Sequence, residues 1–207
     1  MNIAVLIYGR LTNGIKHYDN IIDNIGKQHN IDFFLSSDDS NLDQLQEFNN
    51  VYKPKSYIND KIYYACNLSK YQGIREETNI HNMTCHFINK GRVFTLLEKY
   101  IELSNINYDV IISLRIDTIF NSELIFDNIN DNTIYIPENF DFGGINDQVA
   151  YGNLSVMKKY MNIFNNCEII LEKGTTIPHP ESLTLANINF YNLDICRVDL
   201  KHTIDKY

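Results

Sequence analysis

The chain has 207 residues, of which 44% are hydrophobic and 21% are charged, a composition that is ordinary for a globular protein of one domain. Its formal net charge of -8 argues against nonspecific binding of nucleic acid, because such binding needs a basic surface that neutralises phosphates. The sequence contains no apolar run of the roughly 20 residues that cross a bilayer, so we expect a soluble protein with no membrane span.

The first residues are apolar, but they lack a basic leader and a small-residue cleavage site, which indicates a strand rather than a signal peptide. No Cys-x-x-Cys pair is present, and reduced thiols are the simplest interpretation of the four cysteines, which are Cys66, Cys85, Cys167 and Cys196. We therefore expect a cytoplasmic protein whose residues 1–207 form a single domain.

Helical and strand patterns alternate along the chain, which predicts an α/β fold with a largely parallel central sheet. In the first part of the chain the predicted elements are a strand at 2–8, a turn at 9–14, a helix at 15–25, a strand at 31–35, a short helix at 42–48 and an edge strand at 51–58. The last of these is assigned to a sheet edge because Pro54 has no N–H to donate to a central ladder.

Residues 59–79 show no clean period and predict loops and short helices. The later predicted elements are a long helix at 81–103, a buried central strand at 108–114, a short strand at 133–136, a glycine-bearing loop at 139–147 and a helix at 181–190. Two further elements are marked by apolar spacing, namely a helix by Leu154, Met157, Met161 and Phe164, and a last strand by Cys196, Val198 and Leu200.

The strongest local feature is Arg115-Ile116-Asp117, which follows the predicted central strand directly. Ligands of open α/β sheets bind at the carboxyl ends of strands. An Asp there can coordinate a divalent cation that bridges a diphosphate, and an Arg can offset phosphate charge directly. A structural Arg–Asp pair that closes the strand is the alternative, and the spacing alone does not choose between the two.

Two further clusters carry polar side chains. In the first, Gly143 and Gly144 precede Asn146-Asp147-Gln148, where Asp147 could act as a general base; a polar surface turn is the alternative. In the second, His179-Pro180-Glu181 begins a predicted helix, and His202 and Asp205 lie near the end of the sequence. A glutamate in the first turn of a helix is also favourable for the helix dipole, so Glu181 need not have a catalytic role. A lone histidine is usually structural, and a metal ligand is the alternative interpretation of His179.

The turn that follows the first strand reads Tyr8-Gly9-Arg10-Leu11 and could meet a base or a ribose. It contains neither a Gly-x-Gly-x-x-Gly run nor a Gly-Lys-Ser/Thr ending. Dinucleotide-binding dehydrogenases and P-loop enzymes are therefore disfavoured.

Taken in chain order, these segments resemble the GT-A-like glycosyltransferase domains of large DNA viruses and of bacterial surface-polysaccharide loci. The resemblance rests on the Gly-Arg-Leu turn, the helix at 83–97, the strand ending in Arg-x-Asp at 115–117, Tyr-Ile-Pro at 135–137, the segment at 144–152 and His-Pro-Glu-Ser-Leu at 179–183. It implies a GT-A-like (Rossmann-related) fold, with a central mixed, mostly parallel sheet flanked by helices. It also implies sugar transfer from a nucleotide-sugar donor, often a UDP-sugar, to a glycan or glycoprotein acceptor.

The residues and the resemblance together predict a site. Its members are Asp147 and Glu181 for catalysis, Tyr8, Gly9, Arg10, Arg115, Asp117, Gly144, Asn146 and Gln148 for the donor, and Asp117 and His179 for a metal. In the family this motif reads either Arg-x-Asp or Asp-x-Asp, and Arg115 stands at the position of the first Asp. A site with manganese or magnesium is one possibility, and compensation of the phosphate charge by arginine without a metal is the alternative.

Two other functions fit the same sequence. A noncatalytic nucleotide- or glycan-binding module could keep the fold without turnover, and the single Asp at 115–117 motivates that alternative. A sugar-phosphate nucleotidyltransferase shares the sheet architecture, but it normally carries a glycine-rich segment with Arg and Lys after the first strand. Here that turn spans only residues 9–14.

Overall fold

The structure is a computed structural model that describes residues 1–38, 41–63, 67–74 and 78–205, so that Cys66 lies outside the described residues. The strands are β1 (Asn2–Tyr8), β2 (Asn30–Ser37), β3 (Ser56–Asn59), β4 (Val110–Arg115), β5 (Thr118–Phe120), β6 (Thr133–Pro137), β7 (Val149–Gly152), β8 (Asp194–Val198) and β9 (His202–Ile204). The α-helices are α1 (Tyr18–Ile25), α2 (Leu42–Tyr52), α3 (Ile80–Ser104), α4 (Leu154–Met161), α5 (Ile163–Glu172) and α6 (Pro180–Phe190). Short 3₁₀ helices cover Leu11–His17 and Asn67–Tyr71.

Seven of the strands form one sheet in the order β3-β2-β1-β4-β7-β6-β8. Parallel pairs join β1 to β2, β1 to β4, β2 to β3 and β6 to β8, whereas β7 runs antiparallel to β4 and to β6. The predicted α/β fold with a mixed, mostly parallel sheet flanked by helices is confirmed. The predicted central strand is confirmed as well, because β4 is the middle strand of the seven.

Both faces of the sheet are covered, and successive side chains of a strand enter opposite layers. On one face, Ile3, Val5 and Ile7 of β1 pack in the same core as α1 and α2. On the other face, Leu6 and Tyr8 pack in a core with α3 and α4. A strand that is buried on both sides must be apolar throughout, and this is why the run at 108–114 predicted β4.

Near the N-terminus, the structure differs from the sequence predictions in where helices begin and end. The predicted helix at 15–25 starts as a 3₁₀ turn and becomes α-helical only at Tyr18. Helix α2 continues through Tyr52 and ends at Lys53, which has a left-handed φ of 48°, so residues 51–52 are helical and not part of a strand. Strand β3 then follows Pro54 at the edge of the sheet, as the proline predicted.

In the second half, the predicted continuous helix through Phe164 is wrong, because the chain breaks at Asn162 and forms two helices, α4 and α5. The strand predicted around Cys196 is β8, but it is not the last strand. A further strand, β9, pairs antiparallel with β5 in a separate two-stranded sheet. That pairing brings the end of the chain to the carboxyl end of β4, where the N–H of Asp205 donates to the carbonyl oxygen of Asp117 at 2.8 Å.

Among the helices described, none has the length and the apolar character needed to cross a membrane.

Candidate functional site

The sheet reverses its direction of winding between β1 and β4. The chain places β2 and β3 on one side of β1 and then crosses to place β4 on the other side. At such a switch point the two following loops diverge and leave a crevice at the carboxyl ends of the strands, where ligands of α/β proteins bind. Gly9 and Arg10 follow β1 at this crevice, and Arg115 and Asp117 stand at the end of β4.

Gly9 is required at the switch point for two reasons. Its φ is 125°, and a Cβ built there would lie 3.1 Å from Cγ2 of Ile116. The N–H of Gly9 donates to the carbonyl oxygen of Ser36 in β2, and the N–H of Ile116 donates to that of Tyr8. The turn is therefore anchored to both neighbouring strands, and this holds Arg10 at the mouth of the crevice.

Three cavities meet at Arg115. The switch-point cavity, about 260 Å³, is lined by Gly9, Arg10, Asp38, His86, Arg115 and Asp117, among others. The glutamate cavity, about 360 Å³, is lined by Asn82, His86, Arg115, Asp147, His179 and Glu181, among others. The phenylalanine cavity, about 620 Å³, is lined by Arg115, Asp117, Phe140, Phe142, Gln148 and Asp205, among others. The structure thus brings seven of the predicted residues around one arginine, namely Gly9, Arg10, Asp117, Asp147, Gln148, His179 and Glu181.

Arg115 and Asp117 form a bidentate ion pair. The Nε and Nη2 atoms of Arg115 donate to Oδ1 and Oδ2 of Asp117, each at 2.7 Å. Burial lowers the pKa of Arg115, but the hydrogen bonds and charge of Asp117 and the charge of Asp147 outweigh it and raise the pKa overall. The guanidinium is therefore a fixed positive charge, and Nη1 takes part in none of the bonds described for this part of the chain.

The carboxylate of Asp147 is buried beside His86 and near two cations, Lys90 and Arg115. Its Oδ2 is 3.2 Å from Nε2 of His86, and the backbone carbonyl oxygen of Asp147 accepts from Nζ of Lys90 at 2.8 Å. Burial raises the pKa of Asp147, but the contact with His86 and the charges of Lys90 and Arg115 outweigh burial, so that the pKa is lowered overall. Asp147 is therefore ionised at neutral pH and is a weak proton acceptor.

Lys90 is fully buried in α3. Its Nζ donates to the hydroxyl of Tyr160 at 3.1 Å and lies 4.7 Å from that ring and 5.4 Å from the ring of Tyr8. Burial lowers its pKa to about 8, against the opposing charges of Asp147 and Glu181. Such a cation is tolerated inside a protein only where hydrogen bonds and opposite charge compensate it, so Lys90 ties α3 to the Asp147 loop.

His86 stands one helical turn before Lys90 and lines both the switch-point cavity and the glutamate cavity. Its ring meets the ring of Tyr8 edge-on at 5.2 Å. Burial lowers the pKa of His86 more than the carboxylate of Asp147 raises it, so the imidazole is neutral at pH 7.

His179 and Glu181 are brought together at the start of α6. The Nδ1 atom of His179 is 2.9 Å from Oε2 of Glu181. The carbonyl oxygen of Glu181 accepts the N–H of Ile145, which joins this helix to the loop before β7. His179 and Glu181 both line the glutamate cavity, as Asp147 does.

Three predicted donor ligands have structural partners within the protein. Tyr8 is fully buried, and its hydroxyl donates to the carbonyl oxygen of Asp147 at 3.1 Å. A Cβ at Gly144 would lie 2.1 Å from the carbonyl carbon of Glu181, so this glycine allows close packing against α6. The side chain of Asn146 accepts the N–H of Gln148 at 2.9 Å and donates to the carbonyl oxygen of Asn139 at 2.8 Å. These three residues support the loop, and their contact with a donor stays a prediction.

The two predicted metal ligands do not line the same cavity. Asp117 lines the switch-point and phenylalanine cavities, whereas His179 lines the glutamate cavity. Both oxygens of Asp117 already accept bonds from a guanidinium, whose charge repels a cation at the same carboxylate. Across the described ranges, no group of three or more His, Cys, Asp and Glu is arranged to hold a metal ion. The chemistry of Asp117 therefore fits a divalent cation poorly.

His86 and Lys90 are not among the residues that the sequence predicted. A signal for Lys90 was present, because it falls in the apolar stripe of α3 between Phe87, which packs against α5 and α6, and Phe94, which packs on the sheet. A charged residue inside an apolar stripe indicates a buried partner. The partner was not visible in the sequence because Asp147 is 57 residues further along the chain.

Residues 78–164 match the model of a family described as a domain of unknown function (DUF7796). The matched segment is less than half of the chain; it contains Arg115, Asp117 and Asp147 but neither Arg10 nor Glu181. No curated protein matches the chain.

Proposed function

We propose that this protein is a glycosyltransferase of the GT-A type, which moves a sugar from a nucleotide-sugar donor, such as a UDP-sugar, to a glycan or glycoprotein acceptor. The observation that carries the proposal is the position of Arg115. Its guanidinium is fixed by Asp117 at the carboxyl end of the central strand and borders three adjoining cavities. The mixed sheet supports the GT-A type, since the resemblance implies such a sheet with the Arg-x-Asp motif at a strand end.

The donor nucleotide belongs in the switch-point cavity. Arg10 and Arg115 line it from β1 and β4, and two guanidinium groups can bind the oxygens of a diphosphate. Asp38 follows β2 and lines the same cavity, where its carboxylate can accept hydrogen bonds from ribose hydroxyls, the role that an acidic residue has in related sheets.

The departing diphosphate gains negative charge as the bond to the sugar breaks. Arg115 offsets this charge best, because it is already oriented by Asp117 and does not have to reorganise during the reaction. Manganese or magnesium is not the group that we propose for this role, because Asp117 fits a cation poorly while it holds Arg115.

The transferred sugar belongs in the glutamate cavity, next to Arg115. The acceptor oxygen attacks the anomeric carbon, the bond from that carbon to the phosphate oxygen breaks with its electron pair, and the hydroxyl proton must leave. In a single displacement with inversion a carboxylate takes this proton. We propose Glu181 for that step. The carboxylate of Asp147 lies 3.2 Å from Nε2 of His86 and has a lowered pKa, which makes Asp147 a poor base.

A noncatalytic binding module of the same fold is the competing proposal, and the closed Arg115–Asp117 pair favours it, since the carboxylate is occupied. Incubation of the pure protein with a panel of UDP- and GDP-sugars, with either EDTA or manganese, separates the two. We expect release of nucleotide from at least one donor in EDTA. Binding of donors without release from any of them supports the module.

A matched pair of variants keeps this experiment specific. Arg115→Gln removes the proposed charge, whereas Arg92→Gln removes an arginine of α3 that donates to the carbonyl oxygen of Asp60 away from the three cavities. We expect release to fall by roughly 10²-fold in the first variant and to be unchanged in the second. Equal rates in both variants would contradict the role of Arg115.

A further inference from the structure

The loop between β6 and β7 carries two aromatic side chains, the exposed Phe142 and the half-buried Phe140, in an unfavourable backbone conformation. Phe140 has φ of 60° and Phe142 has φ of 39°, a region that bulky side chains rarely adopt. Phe142 is 57% exposed although it is a large apolar residue. Neither backbone preference nor burial of an apolar side chain therefore favours this arrangement. Residues held in rarely populated backbone conformations cluster at binding sites.

The loop is held by bonds on both sides of the two rings. Nη2 of Arg197 donates to both carboxylate oxygens of Asp141, at 2.9 and 3.0 Å, and to the carbonyl oxygen of Pro137 at 2.6 Å. Oδ1 of Asp141 also accepts the N–H of Asn146 at 3.0 Å. Asp141 lies between Phe140 and Phe142 in the chain, so these bonds fix the part of the backbone that presents the rings.

The two rings form one apolar wall. Their centroids are 6.1 Å apart with an angle of 31° between the planes. Behind them, the ring of Phe140 packs on that of His202 at 5.1 Å, and Nε2 of His202 lies 3.2 Å from Oε1 of Gln148. The two rings are therefore supported from behind by buried residues of the protein interior.

Most of the other residues that line the phenylalanine cavity are polar. They are Arg115, Asp117, Gln148, Thr203 and Asp205, and Ile204 adds a further apolar side chain. A cavity with an aromatic wall and hydrogen-bonding groups around it suits a ligand with an apolar face and a polar edge. A pyranose ring has this character, because its axial C–H groups form an apolar face and its hydroxyls lie around the rim.

We propose that the phenylalanine cavity is the acceptor subsite and that it binds a sugar ring stacked on Phe140 and Phe142. The assignment as acceptor subsite rests on the proposed glycosyltransferase function. Arg115 lines this cavity, the switch-point cavity and the glutamate cavity, so a sugar bound here adjoins both the donor's diphosphate and the cavity that we propose for the transferred sugar and Glu181. The acceptor is therefore a saccharide and not a protein side chain alone.

The test uses methyl glycosides of glucose, galactose, mannose and N-acetylglucosamine as probes in saturation-transfer NMR with the full-length protein. Phe142→Leu keeps an apolar side chain without a planar ring, and Phe142→Tyr keeps the ring. Phe190→Ala is the control, because Phe190 is a partly exposed aromatic residue at the end of α6 that lines another cavity. In parallel, UDP and GDP affinity is measured by titration calorimetry for each variant.

We expect at least one glycoside to give signals that Phe142→Leu reduces fivefold or more, while Phe142→Tyr, Phe190→Ala and nucleotide affinity stay near wild type. Unchanged signals in Phe142→Leu, or no glycoside signal in the wild type, would overturn the proposal. A fivefold loss of nucleotide affinity in Phe142→Leu would also overturn it, because the wall then holds the base of the donor. Glycoside binding without turnover of any nucleotide sugar would contradict the proposed function but leave the saccharide site standing.

Discussion

Arg115 and Asp117 share two parallel hydrogen bonds of 2.7 Å, although only one residue separates them in the chain. The pair forms because β4 ends at Arg115 and the chain turns through Ile116, so that both side chains leave the end of the strand on the same side. The structural and functional interpretations of the Arg-x-Asp motif are therefore compatible, since the contact that closes the strand also aims the guanidinium at the cavities.

Replacing Asp117 tests this coupling. Asp117→Asn keeps the size of the side chain but loses its charge and one of the two acceptors for Arg115. We expect the rate of nucleotide release to fall tenfold or more, because Arg115 is no longer fixed before the reaction. The thermal midpoint should fall by about 2–4 °C, the effect of roughly 1 kcal/mol in a protein of this size. Steady-state kinetics and calorimetry measure both, and wild-type kinetics in the variant would rule out the assignment.

Glu181 and Asp147 line the same cavity, but we expect different consequences from removing their charges. Glu181→Gln keeps the shape of the side chain and removes the proposed proton acceptor. Transfer to an acceptor should fall by roughly 10²-fold or more, while the dissociation constant of the donor changes little. Transfer assays and titration calorimetry separate the two quantities. A variant that transfers sugar at the normal rate would show that the base is elsewhere.

Asp147→Asn should act mainly on stability. It removes the carboxylate charge that opposes the burial of the Lys90 ammonium, whereas the bond from Nζ to the carbonyl oxygen of residue 147 is kept, so we expect the free energy of unfolding to fall by roughly 1–3 kcal/mol. Urea unfolding at pH 7 measures this loss. The double variant Asp147→Asn with Lys90→Met should recover part of it, because the uncompensated charge is gone. If the single variant is as stable as the wild type, the charge of Lys90 is compensated by other groups.

The protein should lose stability as the pH falls from about 6.5 to 4. Burial lowers the pKa of His202 to about 4, from a value near 6.5 in the unfolded chain, and it also lowers the pKa values of His17 and His86. In this window the unfolded state binds more protons than the folded state, so the free energy of unfolding decreases as the pH decreases.

A single variant isolates the contribution of His202 to this pH dependence. His202→Gln should show a shallower decline in the free energy of unfolding between pH 7 and 5 than the wild type, as measured by urea titration at each pH. The same slope in both proteins would mean that His202 is charged in the folded state or that other groups dominate.

The sequence predicted the elements whose patterns are long or continuous. Strand β4 is apolar along its length and helix α3 repeats its apolar stripe over several turns, so both were located to within a few residues. Strand β7 was missed because it has only four residues and ends in Gly152, within a segment that was interpreted as a polar cluster. The three-residue strands β5 and β9 were missed because only their pairing makes them strands.

For the site, the sequence predicted residues that directly follow a strand or begin a helix. Arg115 and Asp117 were predicted in this way, and so was Glu181. The residues that it missed, such as His86 and Phe142, are recognised only by what lies beside them in space. For Asn146, a polar side chain in a glycine-rich loop suggested a ligand contact; the side chain bonds to its own loop, and its contact with a donor stays a prediction.

If the protein is a nucleotide-sugar transferase, a nucleotide diphosphate binds in the switch-point cavity against Arg115. A crystal structure of the protein soaked with the nucleotide sugar, or with UDP, that binds most tightly in calorimetry tests this directly. We expect diphosphate oxygens within hydrogen-bond distance of the guanidinium of Arg115, about 3 Å, with the nucleoside towards Asp38. A nucleotide bound elsewhere on the protein, with no contact between Arg115 and phosphate, would contradict it.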